Sequence, residues 1–507
     1  MRIRRWLLVL WLCFLARGAF YACALPLWEG FDEYAHYARI EYLAAEGHEP
    51  SRDAPVPKDV ANSLAHVPAH DVGISFDEYW KRPEAERASG IPLPQATIYE
   101  AQQPPLFYWL FAALYRLTGS FSLGGRVLFL RLLSVVVASA AVPLTFGIGR
   151  CVPGDAVWAL RAAALTVVLP LPFYTATHVS NECLAIALGS AVVWLTLRRA
   201  AIPLGLALGL ALLTKAYFLA FIPPIGLLLF TPSRKKMVAA LAGAAAISGW
   251  WYWHTWNTTG SLTGHNVLVG SSLERIVHAI PHFPLIKALD FGWTTFIWTG
   301  NWSFLQVRSW MYRAMGVVVL ISLCGVGRWL WRRNGEIALL AAFVGCFAAA
   351  CVYLGLGSFA AGASPGASGW YACCAIAAFA VLLTAGWRAV LPRRFESAGP
   401  AFLAIAFSAI DLFGTFFYSL PYYTGLISHT HNGGLPACRL PQLANGGFFT
   451  MLHRLTLGKP GWLGVSVMVL LCILWGIATV FAICVTISTK IGVYQANVKV
   501  STTNSRG

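Results

Sequence analysis

The sequence predicts an all-α polytopic membrane protein, a bundle of about twelve transmembrane helices with a long first outer loop carrying interfacial helices. Three observations predict it. Hydrophobic residues make up 58% of the 507-residue chain and charged residues only 11%, with a mean hydropathy of +0.63; soluble domains are about a quarter charged. Apolar runs of bilayer length recur along the chain. The net charge of +16 comes from short cation clusters between those runs. Positive-inside loops explain such clusters, whereas a nucleic-acid partner would require them along one face.

The first span runs from about Trp6 to Leu27 behind Arg2, Arg4 and Arg5, which sets the N-terminus on the cytoplasmic side. Its apolar stretch is too long for a cleaved signal peptide and ends in aromatics, so it is expected to be retained as an anchor. Further inside markers are Arg150 with Arg161, Arg198-Arg199, Arg234-Lys235-Lys236, Arg328 with Arg332-Arg333, Arg388 with Arg393-Arg394, and the tail with Lys490 and Lys499. An even number of crossings must separate each from the next. Runs at 127–149, 156–175, 182–197, 201–214, 216–230, 237–255, 310–327, 336–357, 370–388, 400–420 and 462–487 satisfy that parity and leave both termini cytoplasmic. The same parity makes the apolar stretch from Gln102 to Arg116 an interfacial helix, started by Pro104-Pro105 and anchored by Tyr108 and Trp109, with a short true span as the other reading.

This topology leaves outer loops at 28–126, 256–309 and 421–461, with all 12 histidines on outer loops or at outer helix ends. Most of the 12 cysteines lie in apolar runs with no CxxC pair, which reads as packing rather than a disulfide framework or a zinc site. Chemistry is therefore expected on the outer face. Asp32, Glu33 and His36 emerge there directly after the first span, and a carboxylate pair at a membrane exit can act as a general base with an orienting partner. An acidic helix cap is the other reading of the same residues. Lys215 stands between two short apolar runs, where its ammonium either meets an anion or snorkels to the headgroups. Arg126, Arg131, Arg308 and Arg313 are alternative cations at outer span ends.

Phe31-Asp32-Glu33-x-x-His36-Tyr37, then Gln103-Pro104-Pro105-x-x-Tyr108, Ser180-Asn181-Glu182 and Leu213-Thr214-Lys215 resemble, in order and spacing, the GT-C superfamily of membrane glycosyltransferases. That group includes protein O-mannosyltransferases (glycosyltransferase family 39), lipid A aminoarabinose transferases and oligosaccharyltransferase catalytic subunits. The resemblance covers about residues 1–235, implying a catalytic module there and a variable C-terminal module over 236–507. This chain has Gln103 where many relatives carry His. The resemblance implies a polyprenyl-phosphate-linked sugar as donor and a protein, lipid or glycan as acceptor. It puts Asp32 at the catalytic-base position, Glu33 in support, and His36, Gln103, Tyr108, Lys215, Arg126 and Arg131 around the substrate. In one branch acids near Glu182 help hold a divalent metal; in another none is needed. The helix dipole is a sufficient reason for an acid at Glu182, and His429 and His431 are further imidazoles within reach of such an ion. Together these features suggest a bacterial inner-membrane enzyme working on the periplasmic face. A transporter or flippase of lipid-linked or small-molecule substrate is the competing class; Asp411, midway through a span, is the residue that suits it.

Overall fold

The computed structural model describes residues 2–68, 73–90, 95–152, 155–264 and 273–488. It is helical throughout: among the described residues the only β-pairings are isolated bridges, Pro55 with Thr97 and Gly300 with Leu305. Seven helices are long and apolar enough to cross a bilayer: Ile3–Ala24, Leu123–Gly149, Ser309–Trp331, Gly335–Ala360, Gly369–Val390, Arg393–Tyr423 and Val465–Ile487. Shorter apolar segments cover Ala156–Val168, Glu182–Leu197, Ala201–Leu212 and Ala216–Phe230, and Arg234–Thr259 forms a further long helix. Every expected run is thus helical.

Prolines break three of those runs. Leu123–Ala138 and Ala141–Gly149 are separated at Ser139-Ala140 because the Pro143 ring meets the carbonyl four residues earlier. The expected 156–175 run is two helices, Ala156–Val168 and Leu171–Ala176, interrupted at Leu169-Pro170. The 216–230 run is a string of short helical turns around Pro223-Pro224. Asp155 caps Ala156–Val168 by accepting from the Val157 and Trp158 amides at 2.9 and 3.0 Å. That helix is buried along its whole length and packs against the first helix, Ile376–Val390 and Val465–Ile487; its alanines let these neighbours approach closely. Gly205 allows similarly close contact with Ala240 of Arg234–Thr259.

One buried ion pair ties the two halves of the chain. Arg17 donates to Asp411 at 2.6 Å and to Thr479 at 2.6 Å, Tyr21 donates to the same Asp411 oxygen at 2.6 Å, and the guanidinium stacks on Phe173 and Trp475. Asp411 is therefore a paired structural charge joining three spans.

The first loop is folded down onto this bundle. It carries the helices Glu33–Glu46, Lys58–Leu64, Phe76–Lys81 and Leu106–Tyr115. With 10 residues the last reaches about 15 Å, half of a hydrocarbon core of about 30 Å, in keeping with an interfacial position.

Candidate active site

A cavity of about 460 Å³ lies between the first loop, the 178–182 turn, the Lys215 turn and the aromatic segment at 370–371. Asp32 sits at its edge as the N-cap of Glu33–Glu46, with φ 55° and ψ 16°. Trp28, Asn301 and Phe304 also have positive φ (64°, 51° and 48°). A left-handed backbone at four non-glycine residues in contacting turns is held only where the surroundings over-determine it, a pattern that concentrates at functional sites. The two turns are stapled together: the Ser303 amide donates to the Glu29 carboxylate at 2.8 Å and the Trp302 amide to the Glu29 carbonyl at 3.1 Å. Burial raises the Glu29 pKa to about 8, against the Ser303 hydrogen bond, which lowers it.

Glu33 points the other way, into protein. Arg131 grips its carboxylate with two hydrogen bonds, Nε to Oε1 at 2.7 Å and Nη2 to Oε2 at 2.5 Å, and the Val179 amide adds a third at 3.0 Å. Arg131 also donates to the carbonyls of Ala22, Leu25 and Pro26, the end of the first span. The Asp-Glu box therefore divides into an acid at the cavity and an acid that locks loop to bundle. Arg131 does not reach the cavity, contrary to its expected place around the substrate, because all its donors serve Glu33 and those carbonyls. Arg126 is outside as well, bonded to Glu41 at 3.3 Å and Tyr115 at 2.8 Å. Arg308 and Arg313 do not line the cavity either.

His36, one helical turn after Asp32, shares its face. Its Nδ1 lies 2.8 Å from the Tyr108 hydroxyl and 3.9 Å from Glu100 Oε2. Tyr99 donates to Asp32 Oδ1 at 2.5 Å. Arg39 braces this corner by donating to the carbonyls of Glu100 and Gln103 at 2.7 and 2.9 Å, its guanidinium 3.7 Å from the Tyr108 ring centroid. The Gln-Pro-Pro box thus brings Gln103 to the cavity and Tyr108 behind His36. Burial and the neighbouring Asp32 raise the Glu100 pKa to about 8, while burial and Lys215 push His36 well below the ordinary histidine value.

On the opposite wall Lys215 is 8% exposed and donates to Glu182, which also accepts from the Tyr217 hydroxyl at 2.8 Å and the Cys373 thiol at 3.0 Å. Its ammonium lies 5.3 Å from the ring centroids of both Tyr217 and Tyr371. Lys215 is thus turned into the protein, not snorkelling, and its acid partner comes from 33 positions away. Glu182 joins no cluster of metal-ligand type among the described residues. The groups that do converge are Asp32, His36 and Glu100, whose ligand atoms lie within 4.8 Å of one another. His429 is held by Asp77 at 2.6 Å, away from the cavity.

Sequence reasoning missed Tyr99, Glu100, Tyr217, Trp370 and Tyr371, all of which line the cavity. The acid two residues before Gln102-Gln103-Pro104-Pro105 was a visible signal; the aromatic ones were indistinguishable from an interfacial belt.

No protein-family model matches the chain, and no curated protein sequence matches it. Among solved structures it is similar to ArnT from Cupriavidus metallidurans bound to undecaprenyl phosphate, at 15% identity and a TM-score of 0.44 over 94% of this chain and 75% of that one. The apo state of the same protein gives 16%, 0.42, 95% and 77%. The oligosaccharyltransferase of Archaeoglobus fulgidus in its apo form gives 12% identity and a TM-score of 0.40, over 94% of this chain and 56% of that one.

Proposed function

We propose that the protein is a membrane glycosyltransferase of GT-C type that moves a sugar from a polyprenyl-phosphate donor to an acceptor on the outer face. One observation carries this: a single cavity is lined by an acid on a strained helix cap, a buried lysine, and the apolar side chains of Leu219, Ala220, Phe347, Ala350 and Leu354. A lipid-linked anionic substrate needs all three. The apolar lining takes the first isoprenes, and Lys215, held by Glu182, turns its remaining N–H donors to the phosphate. Asp32, oriented by Tyr99, takes the proton of the acceptor hydroxyl or amide. The acceptor heteroatom bonds to the anomeric carbon as the bond from that carbon to the phosphate oxygen breaks. The bonding pair leaves with polyprenyl phosphate, whose negative charge Lys215 stabilises.

One imidazole and two carboxylates with a buried, unpartnered Glu100 oxygen suit a divalent ion such as Zn²⁺ or Mn²⁺. Asp32, His36 and Glu100 would hold it, and it would supply Lewis acidity at the reacting centre. The cation clusters put the first-loop side of the bundle opposite the cytoplasm, so in a bacterium the cavity would face the periplasm. The transporter alternative loses its main support because Asp411 is neutralised by Arg17.

Reconstituted protein given a polyprenyl-phosphate sugar should release polyprenyl phosphate in the presence of acceptor. Asp32→Asn should slow that release by about 100- to 10,000-fold with insertion and folding intact. Near wild-type turnover in purified Asp32→Asn overturns the assignment of the base.

A further inference from the structure

His178 is a buried group in the cavity that the chemistry above does not use. It is 1% exposed, it lines the cavity, and neither ring nitrogen has a hydrogen-bond partner among the described residues. Leaving a buried polar group without a partner is unfavourable, and here two such atoms belong to one side chain. The ring is nevertheless fixed. Phe31 packs edge-on to it with centroids 6.0 Å apart, and a Cβ at Gly30 would overlap it. The next residue, Val179, is bonded through its amide to Glu33. Glu33 and Arg131 therefore hold His178 in place from behind. Burial is the main reason the ring stays neutral, its pKa pushed down to about 4.

Two more unpartnered side-chain oxygens belong to residues lining the same cavity, Glu100 Oε2 and Gln102 Oε1. The adjoining wall is aromatic: Trp370 stacks on Phe31 with centroids 3.8 Å apart and planes 12° from parallel. A neutral imidazole offers one donor and one acceptor. That pairing matches a hydroxyl, which also donates and accepts, and suits a phosphate poorly, for which Lys215 is the better partner. Several unpartnered polar atoms beside an aromatic wall fit a ring carrying several hydroxyls.

We propose that His178 is the hydrogen-bonding contact for the sugar of the donor, forming with Gln102 and the Phe31–Trp370 wall a sugar subsite beside the phosphate site at Lys215. It rests on the transferase reading and adds the source of sugar recognition. Discrimination then comes from polar atoms left unpartnered when the sugar is missing, the kind of site that rejects a ligand lacking its hydroxyls.

The test compares the affinity of the full-length protein in nanodiscs for bare undecaprenyl phosphate and for the same lipid carrying mannose, glucose or arabinose. Wild type should bind at least one sugar-bearing lipid about tenfold more tightly than the bare lipid, as expected for restored hydrogen bonds at buried groups. His178→Phe should bring that ratio to about one while affinity for the bare lipid is kept. His178→Asn, smaller and free of steric conflict, should retain part of the ratio and serves if the Phe variant does not fold. A ratio that survives both substitutions overturns the sugar subsite, as does a wild type that prefers none of the three sugar lipids. Either result leaves the transferase proposal standing provided bare lipid phosphate binds. Failure of wild type to bind bare undecaprenyl phosphate overturns that proposal itself.

Discussion

Glu33 and Asp32 are adjacent acids with opposite duties, and substitution of Glu33 separates them. Glu33 is fully buried and Arg131 is 2% exposed. Their pair has two hydrogen bonds of 2.7 and 2.5 Å, with the Val179 amide on the same carboxylate. Glu33→Gln keeps the shape but removes the charge, so the Arg131 guanidinium is left buried against carbonyl oxygens alone. Breaking one side of a buried pair costs about 3–5 kcal/mol. Solvent screening relieves none of it at this depth. The expected outcome is a marked fall in thermal stability, read by size-exclusion chromatography after heating in detergent. Activity should fall only in proportion to the folded fraction and to any drift of His178. Arg131→Met combined with Glu33→Gln should recover much of the loss, because no unpaired charge then remains; a double-mutant cycle would give a coupling of the same order. Glu33→Gln as stable as wild type but inactive would refute this division of labour and make Glu33 a participant in the chemistry.

Lys215→Ala should weaken undecaprenyl phosphate binding and slow transfer. Lys215→Arg should recover only part of each, since it keeps the charge but not the compact ammonium against Glu182; equal lipid affinity in both variants and wild type would remove Lys215 from the phosphate site. Glu29, its pKa raised to about 8 by burial, binds its proton more tightly folded than unfolded. Its contribution is therefore complete below the unfolded value near 4.5 and is lost as pH rises toward about 8. Glu29→Gln should flatten the fall in thermal stability across that range, and an unchanged pH profile would count against it. A cysteine at the exposed Ser120 should react with an impermeant thiol reagent from outside intact cells and one at Ser397 should not, once the exposed Cys324 and Cys484 are replaced. Labelling of position 120 only after permeabilisation would reverse the orientation.

Composition and hydrophobic run length were sufficient for the class of the molecule and for the helices of its apolar runs, because a lipid-facing helix must be apolar along its length; the short helices of the outer loops carry no such signal. The Asp-Glu box was legible for the same reason: acids beside a span are conspicuous where charge is scarce. The resemblance implied Asp32 as base and Glu33 in support, but the partner that holds Glu33 was not legible, since Arg131 arrives from another helix, 98 positions away. Lys215 looked solitary in sequence and is paired with Glu182; Asp411 looked solitary and is paired with Arg17, 394 positions away. Glu100 became a candidate only when folding brought it to the lining of the cavity. Runs of apolar residues report how a segment meets lipid, a property of the segment alone. The partner of a buried charge is set by which helices touch, and in a bundle joined by long outer loops sequence separation says nothing about that contact.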